Sequence, residues 1–244
     1  MEARLDLEMD SKQAPDVPYR EAIGSLMYLM VGTRPDIAFA VSRLAKYVEN
    51  PTELQWQGVK RLLRYVIGTI KHGICFKADH SLEPLGYVDA DWAGDVATRK
   101  STSGYMFVMA GGAISWCSRQ QEVVALSSTE AEYISLCTGV KEAIWLRRLV
   151  SNLGIKPEVG QGPMLLFVDN QGAIDLAQNG STNRRTKHID VRYHFNREAV
   201  TKRMVRLKYC PSEKMAADIL TKALGKIRMT DLLPLFGMSP DQSQ

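Results

Sequence analysis

The sequence predicts an α/β fold: a mixed five-stranded sheet with flanking helices, preceded by a small helical unit. Three observations carry this. Residues 19–70 place apolar side chains at three- and four-residue steps, as in Ile23, Leu26, Met27 and Met30. From residue 85 the texture changes to short β-rich runs separated by helical stretches. Leu165-Leu-Phe-Val168 is a continuous apolar run of the kind found in strands buried on both faces. The order of three strands, helix, strand, two helices, strand and helix suits one sheet layered with helices.

Taken in order, residues 1–18 are polar and acidic with Pro15 and Pro18, and read as a flexible leader. Pro35 and Pro51 divide the helical region into three helices. Strands are expected at 85–92, 103–109 and 113–117, with Gly111-Gly112 as the hairpin turn between the last two. Ser127-Ser-Thr-Glu130 opens a long helix that Gly154 ends, through a hydroxyl cap at one end and a left-handed stop at the other. Strand 164–168, a helix at 170–177, a basic helix at about 187–200, strand 204–209 and a last helix at 213–224 follow. The unit boundaries are expected at 1–18 for the leader, 19–78 for the helical unit, 79–237 for the sheet domain and 238–244 for a flexible tail.

Of the 244 residues, 45% are hydrophobic and 24% charged, which suits a packed globular chain. The net charge is only +4, but residues 184–208 carry nine Lys or Arg against Asp190 and Glu198. A basic segment on a slightly acidic remainder is the pattern of a phosphate-backbone footprint, and also of a solvated helix face. Cys75, Cys117, Cys137 and Cys210 lack the paired spacing of a zinc site and read as reduced thiols of an intracellular protein. The N-terminus lacks the pattern of a signal peptide, and the apolar stretch near residues 23–31 is too short to span a bilayer.

The acids are the chemically informative residues. Asp169 follows an apolar strand, where packing explains it poorly; capping of the next helix would be the alternative. Asp89 and Asp91 lie two apart on an expected strand and so on one face. Glu130 and Glu132 open the long helix, about 200° apart around its axis, so both cannot face one site. Asp218 interrupts the apolar stripe Met215-Ala-Ala-Asp-Ile-Leu220. Converging carboxylates suit divalent-metal phosphoryl chemistry, because Mg²⁺ prefers oxygen ligands and shares its shell with phosphate. Pattern alone does not choose among these six acids.

Six runs occur in order: Gly86-Tyr-Val-Asp-Ala-Asp-Trp-Ala-Gly94, Arg99-Lys-Ser-Thr-Ser-Gly104, Ala125-Leu-Ser-Ser-Thr-Glu-Ala-Glu-Tyr133, Val168-Asp-Asn-Gln-Gly-Ala-Ile174, Thr186-Lys-His-Ile-Asp190 with Tyr193-His-Phe195, and Ala217-Asp-Ile-Leu-Thr-Lys222. Together they resemble the ribonuclease H domain of the Pol polyprotein of copia-type retrotransposons. Upstream, Tyr19-Arg-Glu-Ala-Ile-Gly-Ser-Leu-Met-Tyr28, Thr33-Arg-Pro-Asp-Ile37 and Leu62-Leu-Arg-Tyr65 resemble the thumb and connection tail of its reverse transcriptase. The resemblance covers roughly residues 19–237 and lacks the polymerase's Tyr-x-Asp-Asp motif.

The resemblance implies a ribonuclease H-like sheet and an endonuclease that cuts the RNA strand of RNA–DNA hybrids during reverse transcription. It selects Asp89 over Asp91 and Glu132 over Glu130, and adds Asp169 and Asp218, as four catalytic and metal-binding carboxylates. These would hold two Mg²⁺ ions about 4 Å apart, with Mn²⁺ able to substitute. Arg184, Arg185, Lys187, His188 and Arg192 are the candidate nucleic-acid contacts. The expected partners are the hybrid and the polymerase domain of the same polyprotein, with no membrane and no small-molecule substrate, and the expected place is intracellular: the cytoplasm, in virus-like particles, or the nucleus. A histidine often found before the last aspartate in cellular relatives is absent from Lys208-Tyr-Cys-Pro-Ser-Glu213. His188 and His194 receive no catalytic role. The competing classes are another nuclease or integrase on the same fold, and a co-opted, non-catalytic module that binds nucleic acid or protein.

Overall fold

The computed structural model describes residues 12–14, 16–155, 159–179 and 190–240. Helices α1 (Tyr19–Gly32), α2 (Ala38–Ala45) and α3 (Glu53–Gly68) form the helical unit. Their inward stripes, including Tyr19, Ile23, Leu26, Val41, Val59 and Leu62, close a core of their own. The Thr33-Arg-Pro-Asp-Ile37 run serves this core. Arg34 donates from Nε and Nη2 to both oxygens of Asp36 (2.9 and 2.7 Å), and Tyr65 donates to Asp36 Oδ2 at 2.8 Å. The described part of the expected leader lies against this unit: the Ala14 amide donates to the Pro51 carbonyl at 3.0 Å.

A short strand β1 (His72–Ile74) leads into the main sheet, built from β2 (Leu85–Ala90), β3 (Thr102–Met109), β4 (Gly112–Gln120), β5 (Met164–Val168) and β6 (Val205–Tyr209). Its order is β4-β3-β2-β5-β6, with β2, β3 and β4 antiparallel and β2, β5 and β6 parallel. The mixed five-stranded sheet with flanking helices is as expected. The tight turn is shifted by one residue from Gly111-Gly112. Ala110 and Gly111 carry the successive positive φ values (51° and 77°) that match a hairpin's twist, and Met109 pairs with Gly112.

Helices α4 (Ser128–Leu153), α5 (Gln171–Asn179) and α6 (Asp190–Thr201) cover one face of the sheet. Leu136, Val140, Ala143 and Leu146 of α4 pack there against Val88, Phe107, Leu166 and Val168. Burying each large side chain of this layer contributes about 1.5–3 kcal/mol, and Leu136→Ala would break it most directly by opening a cavity. On the other face, Met106 and Ala113 meet Ala216, Ile219, Leu220, Phe236 and, from the helical unit, Ala38.

The expected helix at 213–224 is broken. A 3₁₀ turn at Ser212–Lys214 gives way to extended backbone at Met215, then to the short α7 (Asp218–Thr221) and, after another break, α8 (Lys226–Leu232). Burial of Met215 and Ala217 with Cys210 outweighs local helix preference. Residues 238–240, expected in a flexible tail, belong instead to a strand. Met238–Pro240 forms β7, antiparallel to β1, with Met238 buried. All four cysteines are free thiols. Among the described residues, no helix is long and apolar enough to cross a membrane.

Candidate metal centre

The site is built where β2 and β5 end. Their parallel register sets Val88 opposite Val168, which brings the next residues, Asp89 and Asp169, to the same level. The third acid comes from α4. Glu132, Ser135 and Gly139 share one stripe of that helix, at three- and four-residue steps. A side chain on Gly139 would meet Val88 Cγ2 at 2.5 Å, so glycine allows the helix to lie close on β2. Ser135 Oγ then donates to the Asp89 carbonyl at 2.7 Å. One carboxylate oxygen from each of Asp89, Glu132 and Asp169 lies within 4.8 Å of the others.

This cluster is costly for a folded chain. Burial first, and then neighbouring Asp218 and Asp169, push the Asp89 carboxyl up to about 6, although Lys222 and Thr221 work the other way. Burial, followed by Asp89 and Asp169, raises the Glu132 carboxyl well above the usual range. Glu132 Oε2 is buried and has no hydrogen-bond partner. An orphaned buried oxygen beside two more carboxylates suits a hard divalent cation, so the residues fit a metal. Asp169 is held by Ser212, whose hydroxyl donates to Oδ2 at 3.2 Å.

Asp218 stands beside the three and joins them through a cation. Lys222 Nζ donates to Asp218 Oδ1 at 2.7 Å and to Asp89 Oδ1 at 3.2 Å. Arg228 Nη2 donates to Asp218 Oδ2 at 2.9 Å, and Thr221 donates its hydroxyl to Asp89 Oδ2. Lys222 and Thr221 lie inside a run already noted in the sequence, but only the fold turns them toward β2. Gly104 permits this contact, because a side chain there would meet Thr221 Cγ2 at 2.6 Å.

The two competing acids have other duties. Strand β2 ends at Ala90, so Asp91 has left the face it was expected to share with Asp89. Its Oδ1 accepts from the Thr102 amide and closes the loop between β2 and β3. Glu130 accepts from the Leu126 amide at 2.9 Å, while its own amide donates to Ser127 Oγ at 3.1 Å; it caps α4. Ser101, Thr102 and Ser103 are buried. The Ser101 hydroxyl accepts from the Ala93 amide at 3.1 Å, a structural duty.

Arg184, Arg185, Lys187 and His188 lie outside the described residues. Arg192 is half-buried on α6 and His194 is exposed on the same helix. Asp95, which no sequence argument singled out, is buried and ion-paired with Arg43 of α2 and with Lys46 just after that helix. Burial disfavours its charge, but Lys46 and the Thr98 amide outweigh that and hold the carboxyl well below the usual range.

No family model matches the chain. Curated relatives do. The chain is 46% identical over 224 residues to the retrovirus-related Pol polyprotein from transposon TNT 1-94 of Nicotiana tabacum, covering 91% of this chain and 16% of that protein. It is 39% identical over 236 residues to that from transposon RE1 of Arabidopsis thaliana, covering 97% and 16%. A third relative, secreted RxLR effector protein 161 of Plasmopara viticola, is 50% identical over 131 residues, 54% of this chain and 92% of that protein. The chain thus spans about one-sixth of the length of the Pol polyproteins it matches. Among solved structures it is similar to RNase H1 from Halobacterium salinarum NRC-1 (TM-score 0.40, 17% identity, 57% of this chain and 94% of that one). It is likewise similar to LC11-RNase H1 in complex with RNA/DNA hybrid (TM-score 0.42, 15% identity, 57% and 94%).

Proposed function

Because the chain belongs to the retrovirus-related Pol polyprotein family of copia-type transposons, we propose that it is the polyprotein's ribonuclease H, a metal-dependent endonuclease that hydrolyses the RNA strand of RNA–DNA hybrids. The observation that carries this reading is the convergence of Asp89, Glu132 and Asp169 at the ends of two parallel strands and one helix. In the reading, Asp89, Glu132, Asp169 and the adjacent Asp218 hold Mg²⁺, or Mn²⁺ in its place. Bound there, the metal supplies charge neutralisation at a phosphodiester and acidifies water.

The chain's own residues do the positioning. Strand register fixes Asp89 against Asp169, and Ser212 orients Asp169. Lys222 balances charge between Asp89 and Asp218. Arg192 and the basic segment before it contact phosphates. Contacts to 2′-hydroxyls select RNA on the cut strand. The polymerase part of the same polyprotein is the proposed protein partner.

The test is cleavage of a labelled hybrid in Mg²⁺ beside single-stranded and duplex controls. The native chain should cut only the RNA of the hybrid, and Asp169→Asn should lower the rate by about 10³-fold or more, as loss of several kcal/mol of metal-supplied stabilisation would. Full activity in Asp169→Asn would remove the site assignment.

A second reading, a co-opted module that binds nucleic acid or protein without catalysis, has one observation in its favour. Lys222 and Arg228 already pair with both oxygens of Asp218 and one of Asp89. Hybrid binding with no cleavage in either metal would favour it.

A further inference from the structure

Eleven residues, 91–101, connect β2 to β3 and begin two positions after Asp89. A connection of this kind is ordinarily solvated and mobile. Here it is held from three sides. Asp91 accepts from the Thr102 amide at its base. The Trp92 indole donates to the Ala125 carbonyl at 3.1 Å, just ahead of the helix that bears Glu132. Asp95 is gripped from the helical unit: Lys46 Nζ and Arg43 Nη1 (3.3 Å) donate to its Oδ2, joined by Gln120 Nε2 of β4 at 2.7 Å, while Oδ1 accepts from the Thr98 amide at 3.0 Å. Its side chain is only 4% exposed.

Two features show that this grip fixes a shape the loop would not choose alone. Ala93 and Arg99 are non-glycine residues in the left-handed region (φ 53° and 54°), a conformation that persists only where surrounding contacts over-determine it. The Arg99 amide donates to the Asp95 carbonyl at 2.8 Å, so the strained turn closes on the gripped residue itself.

We infer that Asp95 is a positioning residue: through Arg43 and Lys46 the helical unit holds the 91–101 loop in the shape that receives a nucleic-acid strand beside the carboxylates. The helical unit is then a working part of the nuclease site. This rests on the nuclease reading, and the experiment separates the two.

The experiment compares the full chain with Asp95→Asn, with the double variant Arg43→Met, Lys46→Met, and with the three changes combined. Amide hydrogen exchange in residues 91–101 should quicken about tenfold or more in each variant, with α4 unchanged, as loss of local coupling predicts. KM for the hybrid should rise about tenfold while kcat stays within about threefold. The triple variant should be no worse than the double, because the groups act as one unit. The conservative Lys46→Arg should retain native values. Should the double variant fail to fold, Lys46→Met and Gln120→Ala singly give the same readouts.

Unchanged loop exchange overturns the inference whatever the activity. So does tighter hybrid binding by Asp95→Asn, since that would make Arg43 and Lys46 direct phosphate contacts released by the change. A native chain that neither binds nor cuts hybrid overturns the nuclease reading, while the exchange measurement still decides the grip.

Discussion

Asp36 in the helical unit and Glu132 at the end of the sheet are both buried acids, and they are held in opposite ways. Asp36 receives two donors from Arg34 and one from Tyr65, so its charge is matched where it sits. Glu132 has an oxygen with no partner and two carboxylates for neighbours. The first arrangement completes a fold. The second keeps an electrostatic cost that a proton or a bound cation relieves. Burial alone therefore does not separate the two arrangements; the state of the partners does.

The largest effect is expected at Asp36. Asp36→Ala leaves Arg34 buried without its carboxylate and should cost about 3–5 kcal/mol, read as a lower urea midpoint. Glu132→Gln replaces a carboxyl whose ionised form burial, Asp89 and Asp169 disfavour, so it should leave that midpoint equal or higher without divalent metal while abolishing cleavage. A large loss of stability in Glu132→Gln would erase the contrast.

A smaller effect follows from Asp89. Its folded pKa, about 6, lies above the unfolded value of 3.8, so the fold favours the protonated form. Its stabilising contribution is fully present below about pH 4 and is lost as pH rises to about 6, on the order of 2–3 kcal/mol across that window. Without divalent metal, wild-type stability should fall from pH 4 to 6 more than that of Asp89→Asn. Mg²⁺ at neutral pH should raise the wild-type midpoint, because the folded state alone offers the cluster. A pH profile parallel in the two proteins would contradict the assignment.

The smallest expected effect sharpens the choice between neighbours. Glu130→Ala removes a helix cap and should cost about 1 kcal/mol, with cleavage near native. Loss of cleavage there, with retention in Glu132→Ala, would reverse the two roles.

The elements with a strong periodic pattern were legible in advance. Helix α4 runs from its Ser127 cap to Gly154, whose φ of 62° is the left-handed stop the glycine suggested. Strand β5 followed from its apolar run, and the mixed five-stranded sheet from the order of strands and helices along the chain, whereas the spatial order β4-β3-β2-β5-β6 came from the fold. The helix expected at 213–224 was not legible, because burial of Met215 and Ala217 beside Cys210 is decided by distant residues. Strand β1 and its partner β7 escaped notice for a similar reason: three-residue strands carry no period and exist through pairing across the chain.

Local pattern in the sequence marked which acids were candidates, since carboxylates at strand ends and on apolar helix faces stand out, and the resemblance of its motifs to the family narrowed six to four. Tertiary structure decided their separate duties. It ended β2 at Ala90 and turned Asp91 into the loop, spent Glu130 on a cap, left Glu132 Oε2 without a partner, and placed Lys222 between Asp89 and Asp218. It also revealed Asp95, whose two cations come from about fifty residues earlier in the chain. The physical reason is common to all of these. Local spacing fixes which way a side chain leaves its own element, whereas charge and hydrogen-bond satisfaction depend on what other elements bring to it.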